Sequence, residues 1–262
     1  MSEAGEAQPV SPAVSAAPPA PGPMARVSAA FQRIAGKAKS VPVLITADML
    51  AFEEDRRIEF EKGMRQAPPF TMLMALGLAA VFVWQIYAMS TLGPREVIEQ
   101  WSVTRDGVVS GEWWRLFTGT FMHGGPDHII GNLISLYILG IACEQAVGFT
   151  GIFVLYFVSA LGGSILSVTL SPGPSVGASG AIFGLMGAII LILHRHRDVL
   201  YVRDKRIGVV IAVWAGYTFL LGAVSPMIDN GAHLGGFLAG ALVGPLLPLR
   251  LKHKTQVAFK KK

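Results

Sequence analysis

The feature that most constrains this chain is a succession of apolar runs between about residues 68 and 249, each near the length that a bilayer demands and separated by mostly short connections. A helix needs about 20 apolar residues to cross a hydrocarbon core about 30 Å thick. In lipid, its backbone must also satisfy its own hydrogen bonds. The pattern therefore predicts an all-α polytopic membrane protein. The first span is expected over 70–89, where only Thr71 and Gln85 are strongly polar, and further spans at 128–146, 149–170, 178–194, 207–224 and 232–249. Composition agrees, with 52% hydrophobic and only 15% charged residues, against about 25% charge in an ordinary soluble domain.

Three regions follow: a tail over 1–67, a membrane domain over 68–250 and a basic tail over 251–262. Residues 1–23 are rich in Ala, Pro, Ser and Gly and bury too little apolar surface to order themselves. Val27, Phe31, Ile34 and Ala38 then recur at helical spacing among Arg26, Arg33, Lys37 and Lys39. That weak basic amphipathic pattern suits a membrane-surface anchor or an organelle presequence, and a mobile solvated tail fits it better. The mixed charges of 48–65 predict an exposed juxtamembrane helix. No short apolar core follows a basic start, so a secretory signal is not expected.

The basic residues set the orientation. Arg56, Arg57, Lys62 and Arg65 precede the first span; Arg195, Arg197, Arg203, Lys205 and Arg206 link the fourth and fifth; Arg250, Lys252, Lys254 and Lys260 to Lys262 follow the sixth. All fall on one side, which the positive-inside rule makes cytoplasmic, with both termini there. The net charge of +5 belongs to these flanks, and no basic face suits nucleic acid. Cys143 stands alone, so no intrachain disulfide can form. His123 and His128 have no intervening Glu, the zinc-protease pattern is absent, and neither a metal nor a cofactor is expected. Paired intramembrane carboxylates, which an aspartyl protease would need, are also missing.

Polar groups inside the spans are costly and mark function. Ser179 opens the fourth span within Gly177-Ala178-Ser179-Gly180, sixteen residues from Arg195, and His233 lies seventeen from Arg250. At 1.5 Å per residue both sit roughly 24 to 26 Å from the cytoplasmic face. Gly180, Gly184 and Gly187 on one helix and Gly236, Gly240 and Gly244 on the other allow close helix approach. Taken singly, each of these residues has an ordinary packing explanation. Together they favour a nucleophile and general base pair. An oxyanion would be met by the Ser179 backbone N–H at the positive helix end and by His128 and Asn132, one turn apart on the second span. For His128 and Asn132 alone, interhelical hydrogen bonding is an equally good reading. His123, in a Gly-Pro turn outside the span, reads as a loop or supporting residue, and Asp229 as a solvated loop residue in preference to a third catalytic member.

These residues resemble the rhomboid intramembrane serine proteases. The likeness covers about 70–250 and rests on Gly-Glu-Trp-Trp-Arg at 111–115, the His-x4-His-x3-Asn pattern at 123, 128 and 132, Gly-Ala-Ser-Gly at 177–180 and Ala-His-x2-Gly-x3-Gly from 232 to 240. It implies a six-transmembrane-helix rhomboid fold, Ser179 as nucleophile, His233 as base, and His128, Asn132 and the Ser179 N–H as oxyanion hole. It further implies a membrane-dipping connection at 90–127 held by Arg115, and a mobile gate formed by the fifth span and the 225–231 loop. Gly177, Gly180, Gly236, Gly240 and His123 would support the dyad. Phe183 stands where many relatives carry Tyr, which keeps ring stacking and loses a hydroxyl. Gly119 stands where some carry His, which removes only a structural hydrogen bond. The expected activity is endoproteolysis of single-pass membrane proteins within or beside their spans, in a bacterial inner membrane. The competing reading is a catalytically silent relative that binds or escorts membrane clients, and such proteins typically lack the serine or the histidine.

Overall fold

A computed structural model of the chain describes residues 32, 58–171, 173–203, 208–209, 213, 215–218, 220 and 228–251. The expected tail helices before residue 58, most of the fifth span and residues 252–262 lie outside the described residues. Helix α1 runs Pro69–Leu92, and the short helices α2 (Pro94–Trp101), α3 (Arg105–Val109) and α4 (Arg115–Thr118) follow it. Helix α5 spans Pro126–Leu170, α6 Ser179–Arg195 and α7 Asn230–Val243, with a 3-10 turn at Gly244–Leu246. Two of these helices, α1 and α5, are long and apolar enough to cross a membrane. Gly148 breaks α5 with φ 72° and ψ 177°, a conformation glycine reaches without steric cost. The break falls between the second and third runs expected from the sequence.

Helix α6 is the centre of the bundle. Every residue from Gly180 to Ile189 is buried, because α5 and α7 both pack against it. A helix that is apolar on all sides belongs in such a place. Its contact with α7 is backbone to backbone: a Cβ on Gly236 would lie 1.9 Å from the Gly180 carbonyl oxygen, and one on Gly240 would lie 2.0 Å from that of Gly184. The two glycine stripes are therefore the contact itself. Helix α1 is peripheral, with Leu73, Leu76, Val83, Ile86 and Tyr87 exposed, a face suited to lipid.

Thr71 and Gln85 of α1 both have distant partners. Glu144 accepts hydrogen bonds from Phe70 N and Thr71 N, each 3.0 Å, and from the Thr71 hydroxyl at 2.9 Å. It thus caps α1, whose own N-cap position is Pro68 and supplies no side-chain bond. Gln85, only 1% exposed, donates to the His123 carbonyl at 2.6 Å and accepts the His123 N–H at 2.9 Å.

Two expectations need correction. Residues 58–65 are not helical: Ile58–Glu59 forms strand β1, paired in parallel with β2 at Leu200–Tyr201, and a turn follows. The pairing is held by Ile58 N donating to Val199 O at 2.7 Å and Phe60 N to Tyr201 O at 2.9 Å, with Phe60 and Leu200 buried beside it. The last span does not continue as helix to 249. It leaves α-geometry after Val243 because Pro245 has no N–H to donate, so the depth count for His233 from Arg250 is too long.

Candidate active site

Ser179 is the first residue of α6, its hydroxyl half-buried. The turn before it is fixed on both sides. Ser175 and Val103 exchange two backbone hydrogen bonds of 2.9 Å, and Gly177 N donates to Gly119 O at 2.9 Å. Gly177 has φ +122°, and a Cβ there would lie 2.6 Å from His128 Cε1 and 2.8 Å from its Nε2. Glycine is thus required twice at this position, for conformation and for room. Gly119 is equally confined, since a Cβ would lie 2.6 Å from Val103 Cγ2. That corrects the expectation that this glycine merely removes a hydrogen bond.

His233 lies in the first turn of α7, 5% exposed. Its Nε2 is 2.9 Å from Ser179 Oγ. The imidazole lies flat on Phe183, with ring centroids 4.3 Å apart and planes at 13°. Phe183 is one turn along α6 from Ser179, so one helix supplies both the hydroxyl and the ring that orients its partner.

His128 and Asn132 project from α5 toward Gly177. The Gly124 N–H donates to His128 Nδ1 at 3.3 Å, which leaves the proton of a neutral ring on Nε2, the ring nitrogen on the Gly177 side. Asn132 Nδ2 is buried with no hydrogen-bond partner among the described residues, and it lies 3.5 Å from the position of a Cβ on Gly177. Such a donor costs free energy unless something accepts from it. Two donors therefore face Gly177, two residues before the first N–H groups of α6, which no earlier turn can satisfy.

His123 touches the site through another ring. It meets His128 edge to face at 5.2 Å and Phe82 at 6.4 Å, and its Nδ1 lies 3.2 Å from Phe121 O. Burial, and then the neighbouring His128, push its pKa down to about 4 against the pull of the Phe121 carbonyl. Arg115 is remote from the hydroxyl. It holds the 91–122 connection, donating to Glu112 Oε2 and to the Glu99 and Ser102 carbonyls. Asp229 is not a solvated loop residue. It caps α7 by accepting Ala232 N at 2.9 Å, and the Ser167 and Ser171 hydroxyls donate to its two oxygens. Although burial raises its pKa, the bonds from Ser167, Ser171, Ser175 and Ala232 hold it below the ordinary value. Among the described residues no group of three or more His, Cys, Asp or Glu is placed to hold a metal.

A family model described as the rhomboid domain matches residues 110–250. The chain is 34% identical over 204 residues to rhomboid protease GluP of Bacillus subtilis, covering 77% of this chain and 39% of that protein. It is 42% identical over 146 residues to RHOMBOID-like protein 5 of Arabidopsis thaliana, covering 55% and 47% respectively. With putative rhomboid protease YdcA of Bacillus subtilis it shares 29% identity over 191 residues, 72% of this chain and 92% of that protein. The chain thus spans less than half the length of GluP and of the plant protein.

Proposed function

The chain belongs to the rhomboid family, and on that premise we propose that it is an intramembrane serine endopeptidase acting through a dyad of Ser179 and His233. Family membership makes it an integral membrane protein. The observation that carries the reading is the 2.9 Å contact between Ser179 Oγ and His233 Nε2, the separation that proton transfer from nucleophile to base requires.

In this mechanism His233 Nε2 takes the hydroxyl proton as Ser179 Oγ attacks the scissile carbonyl. The oxyanion is met by the Ser179 N–H, His128 Nε2–H and Asn132 Nδ2, preorganised donors of the kind that stabilise tetrahedral intermediates. The imidazolium then gives its proton to the leaving amine, and water attacks the acyl-enzyme by the same route in reverse. Stacking on Phe183 orients the imidazole in this scheme. Gly177, Gly180, Gly236 and Gly240 keep the walls around the dyad low. His123 supports His128, and Arg115 supports the outer connection.

Substrates are single-pass membrane proteins cut beside or within their spans. Family membership points to substrates with small residues at the cut. The substrate helix must unwind first, because its own hydrogen bonds shield the carbonyl. The reading includes six spans over 68–250, a cytoplasmic tail over 1–67 and another over 251–262, and a bacterial inner membrane with both termini in the cytoplasm. Lys62, Arg65, Arg195, Arg197, Arg203 and Arg250 in the flanking segments support that orientation. A fluorophosphonate probe tests the nucleophile directly: Ser179 should be labelled in the wild type, the label should vanish in Ser179→Ala, and equal labelling of both proteins would retire the assignment.

A further inference from the structure

We infer that Asp229 is a positioning residue that fastens the histidine helix to the end of α5, an inference that rests on the dyad reading above. Asp229 lies between these two helices. Its carbonyl accepts the His233 N–H at 3.1 Å, so it forms the turn of backbone on which the imidazole is mounted. Its Oδ1 accepts Ala232 N at 2.9 Å and the hydroxyl of Ser171, the residue that ends α5. Its Oδ2 accepts the hydroxyl of Ser167, one turn earlier and buried.

One carboxylate therefore joins the end of α5, from which the chain leaves toward Ser179, to the start of α7. A carboxylate suits this place because it is acceptor-only and can receive several hydroxyls and an amide at once, and because its charge faces the positive end of α7. Gly231 leaves space for the arrangement: a Cβ there would lie 2.9 Å from Ser171 Oγ and 3.1 Å from Asp229 Oδ1. Glycine contacts set how deeply α6 and α7 approach. Asp229 sets the height and rotation of α7 against the end of α5, which the glycine stripes leave free to slide.

The test compares Asp229→Ala, Asp229→Asn and Ser171→Ala in the full-length protein, by kcat and KM on a fluorogenic transmembrane substrate and by thermal unfolding. Misplacing His233 against Ser179 by a fraction of an ångström to an ångström is expected to lower kcat in Asp229→Ala by about 10- to 100-fold with little change in KM. Asp229→Asn, which can still accept from Ala232 and rotate partners with the serines, should recover most of it, and Ser171→Ala should show a smaller loss while remaining folded. Wild-type kcat in Asp229→Ala, or a loss wholly matched by loss of folded protein in all three variants, overturns the inference. If the wild type itself cuts no better than Ser179→Ala, the dyad reading fails instead. The fastening is then judged by unfolding of the Asp229→Ala, Ser171→Ala and double variants, where coupling supports it and additivity overturns it.

Discussion

The imidazole of His233 is stacked on the ring of Phe183, 4.3 Å between centroids and 13° from parallel. Such contact is worth about 0.5 to 1.5 kcal/mol beyond burial, and here it fixes the ring plane that aims Nε2 at Ser179. Phe183→Tyr should keep kcat within about threefold, because the stacking face is unchanged. Phe183→Leu should lower kcat by about tenfold or more, as a ring free to rotate loses its aim. Steady-state kinetics decide it, and equal activity of the Leu and Tyr variants would remove stacking from the account.

Gly236 and Gly240 should tolerate no side chain. Either one changed to Ala must push α7 away from α6, at a cost of about 1 to 3 kcal/mol by analogy with overpacked cores. Gly77→Ala on α1 is the control, since a Cβ there meets nothing within 4 Å. Unfolding in detergent micelles should show lower midpoints for the first two and none for the third, with activity falling in the same order.

Glu144 should matter to stability and not to chemistry. Truncation to Ala leaves Phe70 N and Thr71 N without their acceptor, a loss of about 1 to 3 kcal/mol. Retained wild-type stability in Glu144→Ala would show that the cap is dispensable. The folded fraction should turn over at the wild-type rate.

The buried His123 predicts an acid limb in stability. Its folded pKa is about 4, whereas an exposed histidine titrates near 6.5. Above about pH 6.5 both states are neutral at this residue and it contributes no slope. As pH falls from about 6.5 toward 4, the unfolded chain takes up a proton that the folded one refuses, so stability declines through that window. His123→Gln should unfold with a shallower decline between pH 6.5 and 4 than the wild type; identical slopes would contradict the assignment.

The sequence was most legible where a physical constraint is local or periodic. Apolar run length marked α1, α5 and α6, and the gap between two runs coincided with the Gly148 break. Glycines every four residues marked the faces of α6 and α7 that meet, and Ser179 and His233 stood out because polar groups in such runs are costly. What stayed hidden depends on partners far away in the chain. Thr71 and Gln85 read as polar interruptions, and nothing local says that Glu144, 73 residues on from Thr71, or His123, 38 residues on from Gln85, would absorb them. Asp229 looked solvated for the same reason, since Ser167 and Ser171 have no spacing relation to it. Strand β1 was missed because two residues are too short for alternation to register.

The most direct measurement is cleavage of a model single-pass membrane protein by the purified chain in lipid, beside Ser179→Ala and His233→Ala. The account predicts a discrete cut near the outer end of the substrate span by the wild type, and background cleavage from both variants. Cleavage by Ser179→Ala equal to that of the wild type across several substrates would contradict it.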